Sequence, residues 1–335
     1  MKFFLYIMFL VMMASCGQDS TKTPNAFLSD VFSNSDGQVS QSIPVSYSSS
    51  YYAAARFLDH SSWGYTQANV AQVQSAGFSA WIDQQLNLPV SGLNNAPSWV
   101  FSYSTLDLPA QNRAEDWYRR SIIELMLNAP DQLRLRVSWA LYNFLVLCEG
   151  STRPPFRVVY FNLLQKDAFG SFAQLLKDVS LNEGMNQCLN NGQNVAKSPN
   201  ENYSRELMQL FSVGLTKLNI DGTPVLSSNG AIQETYTQSD VINMTKAMSG
   251  WTTAQNVTSQ NDFNFSKIPM VPRDTSNHDQ TAKILLGQTI AAGQSASAEL
   301  DVVVNLLQNH PNTAPFVSRR LIQSLVSSDP SPQFI

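Results

Sequence analysis

The sequence predicts a mostly α fold: a multi-helix globular domain with short β-hairpin or loop embellishments, running from residue 51 to 335. Three observations predict it. Apolar residues recur at helical spacing in long segments, such as Tyr118, Ile122, Leu125 and Met126, then Leu133, Val137, Ala140, Leu141 and Phe144. Turn-forming clusters cut the chain at short intervals, as Asn128-Ala129-Pro130 does between those two segments. Hydrophobic residues make up 43% of the 335 and charged residues only 14%, which suits a sizeable core under a surface of Ser, Asn, Gln and Thr.

The elements follow in order. "MKFFLYIMFLVMMASC" has one positive charge at Lys2, an apolar run from Phe3 to Met13 and small residues before Cys16. That is signal-peptide anatomy over residues 1–15, with a run too short for a spanning helix. "MASC" is similar to a bacterial lipobox, which implies lipidation of Cys16. Gly17 and Gln18 follow without an Asp, which favours the outer membrane. Residues 16–50 are rich in Ser, Asn, Gln, Asp and Thr and read as a flexible, lipid-anchored tether.

The helical part opens at "YYAAARFLDH". Thr66 can cap a second helix that Gly77 ends, and Trp81 and Leu86 belong to a third. Arg113–Leu127 and Asp131–Cys148 are the strongest helical segments. The second is apolar nearly all round after Arg136, which places it centrally. "FRVVYFNLLQKDAFGSFAQLLKDVSLN" gives two helices parted near Gly170, and "SDVINMTKAMSGW" one more, with Ser239 as its cap. "LNIDGTPVLSSNG" and "NVTSQNDFNFSKIPMVPRD" are turn-rich and can each hold a hairpin. Two helices in "SAELDVVVNLLQNHPN" and "APFVSRRLIQSLVSSDPSP" complete the set. The last carries core-type Val317, Leu321, Ile322 and Leu325 with no successor, so the domain reads as incomplete at its C-terminus.

A net charge of −4 and the absence of any basic run argue against an electrostatic nucleic-acid binder. After Cys16 only Cys148 and Cys188 remain. They lack the paired spacing of a zinc site, and the sequence leaves open whether they form a disulfide or stand as buried thiols.

"SPNENYSRELMQLFSVGL" (198–215) is the densest polar patch in the chain. Ser198-Pro199-Asn200-Glu201 has the Ser-x-x-Glu pattern of a capping box with Pro at the first helical position, which assigns Ser198 and Glu201 to helix capping. Gly214 supplies the stop. Tyr203, Leu207, Leu210 and Gly214 share one stripe, while Glu201 and Arg205 stand at i, i+4. Glu201 and Glu206 lie about 140° apart around the axis and form no carboxylate dyad. Glu206 is therefore the better functional candidate, set against a buried ion pair with Arg134, Arg136, Arg319 or Arg320. His278, Asp279 and His310 stand at element boundaries, where imidazole and carboxylate can converge. His60 ends the first helix and reads as structural. No HExxH, GxSxG or phosphate-cradling loop occurs.

Taken together, "AAARFLDHSSWGYT", "FSAWIDQQL", "RLRVSWALYNFLV", "DAFGSFAQLLKDVSLNEGMNQCL", "PNENYSRELMQLFSVGL", "TYTQSDVINMTKAMSGW", "NHDQTAKILLG" and the final helix resemble the bacterial family known as domain of unknown function 1800. The Pro-Asn-Glu-Asn-Tyr-x-Arg-Glu element is the most specific. The resemblance implies an exported protein, often encoded beside an exported sulfatase-like protein, and a chain that continues beyond the last helix. Many such proteins carry Trp-His-Asn-His-Phe on the central helix. Here the stretch is Trp139-Ala140-Leu141-Tyr142-Asn143-Phe144, which weakens any expectation of metal through that pair.

The functional expectation is thus a lipid-anchored protein of the bacterial cell envelope acting in surface assembly or binding. Its candidate polar site is Asn202, Tyr203, Arg205, Glu206, His278, Asp279 and His310, with the sulfatase-like protein as a possible partner. The alternative is an envelope hydrolase, with or without metal assistance, using Glu206, His278, Asp279 and His310. The sequence names no cofactor.

Overall fold

Helix-capping chemistry sets the boundaries in a computed structural model that describes residues 50–335 except 149, 151, 255–260 and 274–275. The expected signal peptide, Cys16 and nearly all of the expected tether fall outside the described residues. The described chain forms two compact units, residues 50–88 and Pro89–Ile335.

The first unit is three helices: α1 (Tyr51–Ser61), α2 (Gln67–Ala76) and α3 (Phe78–Asn87). Thr66 caps α2 as expected, in a reciprocal box with Asn69. The Asn69 N–H donates to Thr66 Oγ1 at 3.2 Å and the Thr66 N–H to Asn69 Oδ1 at 3.0 Å. Gly77, at φ +83°, turns the chain from α2 into α3. Phe57 of α1 then packs on Phe78 and Trp81 of α3, with ring centroids 4.7 and 5.2 Å apart.

The second unit holds α4 (Leu108–Asn128), α5 (Gln132–Phe144), α6 (Pro154–Asp167), α7 (Phe172–Ser180), α8 (Glu183–Leu189), α9 (Asn202–Gln209), α10 (Gln238–Ala247), α11 (Ala296–Asn309) and α12 (Thr313–Leu325). Helix α5 is central, as its apolar circumference predicts: Leu133, Leu135, Val137, Ala140, Leu141 and Phe144 are all buried. It packs against α6 and α12, while α7 packs against α11 and α10 against α9 and α11. Helix α4 is amphipathic, burying Ala114, Tyr118, Ile122 and Met126 at every fourth position.

Among the described residues, two antiparallel strand pairs embellish the helices. β1 (Trp251–Thr252) pairs with β2 (Val271–Pro272), and β3 (Lys283–Leu285) with β4 (Gln288–Ile290). The fold is therefore mostly α with small β additions. The β3–β4 hairpin is absent from the sequence reading, because three-residue strands leave almost no periodicity to detect. Its turn is Leu286-Gly287, with φ +49° and +80°. A left-handed leucine is strained, and it is held by its N–H donating to Asp240 Oδ1 at 2.7 Å.

Asp240 also corrects a cap. Thr237, not Ser239, opens α10, in a box in which the Thr237 N–H meets Asp240 Oδ2 at 2.8 Å. Of the two turn-rich segments, 256–274 is described only over 261–273, where a 3-10 turn (Asn264–Lys267) precedes β2, and β2 pairs with β1 rather than within the segment. The other belongs to an excursion over 215–235 whose three passes bond to one another. The Lys217 N–H donates to Gln233 O, Val225 to Lys217 O and Gln233 to Val225 O, at 2.8–3.0 Å. Cys148 and Cys188 form a disulfide with Cα atoms 5.3 Å apart, which settles the alternative left open by the sequence. No helix among the described residues is long and apolar enough to cross a membrane.

Candidate functional site

The "PNENYSRE" motif enters its helix later than its capping pattern suggests. Helix α9 starts at Asn202, its N-cap position is Glu201, and no side chain caps it. Ser198 instead pairs its backbone with Val195, so the Ser198–Glu201 capping box is not formed. The competing interaction is Asn194, a fully buried amide whose Oδ1 accepts the Asn200 N–H at 3.2 Å. Its Nδ2 donates to Thr245 O at 2.7 Å, and its carbonyl accepts the Gly250 N–H at 2.8 Å. Glu201 stays exposed and reaches Arg205 at 2.8 Å and Gln238 at 3.3 Å. Asn202 is exposed and donates its backbone N–H to Asn200 Oδ1.

Tyr203 is buried, and its hydroxyl donates to Ser180 Oγ at 2.8 Å. Burial pushes the phenol far above its ordinary range, so it acts as a neutral donor. Glu206 makes none of the ion pairs expected of it with Arg134, Arg136, Arg319 or Arg320. Its Oε2 is buried without a hydrogen bond. Burial raises its pKa, against a lowering by Arg205.

The histidines do not gather around Glu206 in a metal-binding group. Among the described residues, no three His, Cys, Asp or Glu side chains lie close enough together to hold a metal ion. His278 is buried. Its Nδ1 lies 2.9 Å from Ser249 O, and its Nε2 lies 3.5 Å from Glu299 Oε2. Gly250 packs against the His278 backbone so closely that a Cβ would sit 3.0 Å from it. Asp279 accepts from the Thr281 N–H at 2.9 Å and lies 3.6 Å from Lys283 Nζ. Lys283, fully buried, donates to Glu299 Oε1 at 2.8 Å and to the carbonyls of Asp279 and Thr281. His278 and Asp279 therefore meet in a buried ionic cluster with Lys283 and Glu299, two residues the sequence reading did not single out. His310 ends α11. Its Nδ1 accepts the Asn312 N–H at 3.2 Å, and its pKa is lowered by burial and then by Lys217, against Asp240.

A separate polar cleft lies outside this cluster. It is a cleft of about 270 Å³ between α8, the 3-10 turn Asn191–Gln193 and the β1–β2 pair. Asn186, Gln187, Asn190, Gln193, Thr253 and Arg273 line it, and no apolar side chain does among the described residues. Local chemistry explains the arrangement. Asn182 caps α8 by accepting the Gly184 N–H at 2.8 Å. Asn190 ends α8 in the left-handed conformation, φ +57°, which asparagine tolerates better than most residues. Asn186 is fixed at both ends of its amide: Oδ1 accepts the Gly192 N–H at 2.8 Å, and Nδ2 donates to Glu183 Oε2 at 3.0 Å. A Cβ at position 192 would lie 2.6 Å from that Oδ1, so a larger residue there would displace the Asn186 amide.

Beneath the cleft, Glu183 is completely buried and its Oε1 takes no hydrogen bond of good geometry. Burial raises its pKa, against lowering by Asn186 and the neighbouring Thr253. Arg273 closes the other wall. Its Nε donates to Trp251 O at 3.1 Å and its Nη2 to Gly192 O at 2.9 Å. The motif supports this floor from behind. Tyr203 bonds to Ser180, whose carbonyl accepts Asn191 Nδ2 at 3.0 Å. The available sequence signal was amide density, seven Asn or Gln within residues 182–194.

No curated protein and no solved structure matches this chain. The family model described as "Protein of unknown function (DUF1800)" matches residues 56–335, and the chain belongs to that family.

Proposed function

We propose that this chain is a lipid-anchored protein of the bacterial cell envelope, carried on acylated Cys16 and a polar tether, and that it works by binding, in surface assembly. The observation that carries the binding half is the 215–235 excursion. It exposes Leu215, Ile220, Leu226 and Ile232, with Ile220 78% accessible. Isolated exposed aliphatics are ordinary, but four within one short excursion favour an interaction surface. Its base is clamped by buried Asn312. The amide Nδ2 donates to Val213 O at 2.6 Å and Thr216 O at 2.9 Å, and Oδ1 accepts the Leu218 N–H at 2.6 Å. A surface held in one shape loses little entropy on binding.

The exported sulfatase-like protein is the first partner to test. Co-purification of the two from envelope membranes, weakened by Ile220→Asp with Leu226→Asp, supports the reading; co-purification indifferent to those changes counts against it. Membrane release by Cys16→Ser tests the anchor. The hydrolase reading retains one observation, the buried, unbonded Oε2 of Glu206 with its raised pKa. His278 and Asp279, its intended companions, are engaged by Ser249, Thr281 and the Lys283–Glu299 pair.

A further inference from the structure

We infer that the amide-lined cleft is a recognition site for a neutral, hydroxyl-rich ligand, one ring of a glycan chain. The inference deepens the binding reading above by naming a ligand class, and it uses different residues from the partner surface.

The lining chemistry selects the class. A primary amide offers two donors and an acceptor, and a threonine hydroxyl offers both functions. Asn186, Gln187, Asn190, Gln193 and Thr253 thus present mixed donors and acceptors at close quarters. A sugar hydroxyl, itself donor and acceptor, satisfies such a wall from either side. An apolar ligand would leave these groups unpaired, at a cost in affinity for each.

Charge narrows the class further. Among the described residues Arg273 is the one cation on the wall, and two of its nitrogens already donate to backbone carbonyls. The buried carboxyl of Glu183 lies beneath. Helix α8 contributes its C-terminal half, Asn186, Gln187 and Asn190, where the helix dipole is negative. That field opposes a phosphate or carboxylate, whereas Arg273 opposes a metal or organic cation. A neutral polar ligand incurs neither penalty.

Size and rigidity agree. About 270 Å³ lies just below the range of about 300–1,000 Å³ typical of drug-sized ligands, which suits a single ring with the rest of a chain running out into solvent. The wall is also set before the ligand arrives. Gly192 and Glu183 fix the amide of Asn186, and Arg273 is pinned by Trp251 and Gly192. Asn190 Oδ1 already accepts from Gln193 Nε2 at 3.1 Å, leaving its own NH₂ for the ligand.

The test is binding of the purified full chain to a panel of probes, read by saturation-transfer NMR and titration calorimetry. The probes are cello-, malto-, xylo-, manno- and chito-pentaose, with inorganic phosphate and glucuronate as anionic comparators, each up to millimolar concentration. At least one neutral oligosaccharide should bind, and more tightly than either anion. Asn190→Gly keeps the left-handed backbone and removes the amide, and Gln187→Leu, at an exposed wall position, keeps much of the bulk and removes the amide. Each should weaken binding about five- to tenfold with an unchanged urea midpoint. Ile220→Asp should leave sugar binding intact, which separates failure of this inference from failure of the partner surface. Absence of binding to every neutral probe overturns the inference. So does tighter binding of phosphate or glucuronate, or an affinity indifferent to both cleft variants.

Discussion

Replacing Lys283 with methionine should be among the most destabilising single changes in this protein. The ammonium is fully buried and makes three hydrogen bonds of 2.7–2.8 Å, to Glu299 Oε1 and to the carbonyls of Asp279 and Thr281. Glu299 is equally inaccessible, and its second oxygen lies 3.5 Å from His278 Nε2 without a hydrogen bond. Methionine fills much of the lysine volume, so the loss is electrostatic rather than a cavity. Removing one partner of a buried pair strands the other charge at a cost of about 3–5 kcal/mol, whereas replacing both with apolar side chains is often neutral. The expected pattern is therefore non-additive. Lys283→Met loses about 3–5 kcal/mol, Glu299→Leu a similar amount, and the double variant much less than either.

With a urea m-value of about 2–3 kcal/mol/M, the single variants should unfold 1–2 M earlier. Urea denaturation followed by tryptophan fluorescence, with hydrogen exchange at the β3–β4 turn, reads both global and local effects. The hairpin should open first, because Lys283 lies on β3 and Glu299 on α11. Exposed Lys197→Met is the control. If Lys283→Met moves the midpoint no further than Lys197→Met, or if the two losses simply add in the double variant, the pair is not the coupled buried unit described above.

Other predictions follow from single contacts. Asp167 is buried, its Oδ2 has no hydrogen bond, and its pKa is pushed up to about 7, chiefly by burial and then by Asp178, against Lys166. The folded state then binds the proton more tightly than the unfolded state, so Asp167 favours folding most below about pH 4, and that contribution falls away as pH rises to about 7. Asp167→Asn should raise the urea midpoint at pH 8 by up to a few kcal/mol equivalent and flatten its pH dependence between 4 and 7; an unchanged pH profile refutes this. The disulfide closes a span of 40 residues, worth about 4 kcal/mol of unfolded-state entropy. Cys188→Ser should lower stability accordingly, and dithiothreitol should destabilise the parent but not the variant. Asn312→Ala removes the three bonds at the base of the 215–235 excursion. It should speed hydrogen exchange there and cost about 1–3 kcal/mol.

Much of the helical frame was legible because its signals are local. The Thr66 cap, the Gly77 break and the apolar circumference of α5 each rest on a few adjacent residues, and each stands where the pattern places it. The errors share one cause. Ser198 and Ser239 both fit a cap by local rule, but Asn194 holds the stretch before α9 so that no side chain caps it, and Thr237 takes the capping role two residues before Ser239. Likewise, Lys283 in an apolar stretch gives no hint that its charge is met by Glu299, 16 residues later. The cleft was invisible for a further reason. Its walls come from residues about 80 positions apart, Gly192 and Arg273, joined by a hydrogen bond to a backbone carbonyl that carries no sequence signature.

The polar motif at 200–206 takes on a different meaning against that geometry. Its side chains divide by direction rather than by chemistry. Glu201 and Arg205 pair outward on the surface, where an exposed ion pair contributes little. Tyr203 turns inward and, through Ser180, supports Asn191 and the 3-10 turn that forms one side of the cleft. Asn194 joins the motif's first residues to α10 and to Gly250 at the entrance of β1. A change at Tyr203 should therefore reach the cleft without touching a ligand. Tyr203→Phe keeps the packing and deletes only the hydroxyl bond to Ser180. Under the glycan reading it should weaken oligosaccharide binding modestly while leaving the helix content and the 215–235 surface unaltered. Glu206→Gln, on the same helix but with no bond to that chain of contacts, should leave binding alone. If the two variants behave alike, the motif acts through something other than the cleft.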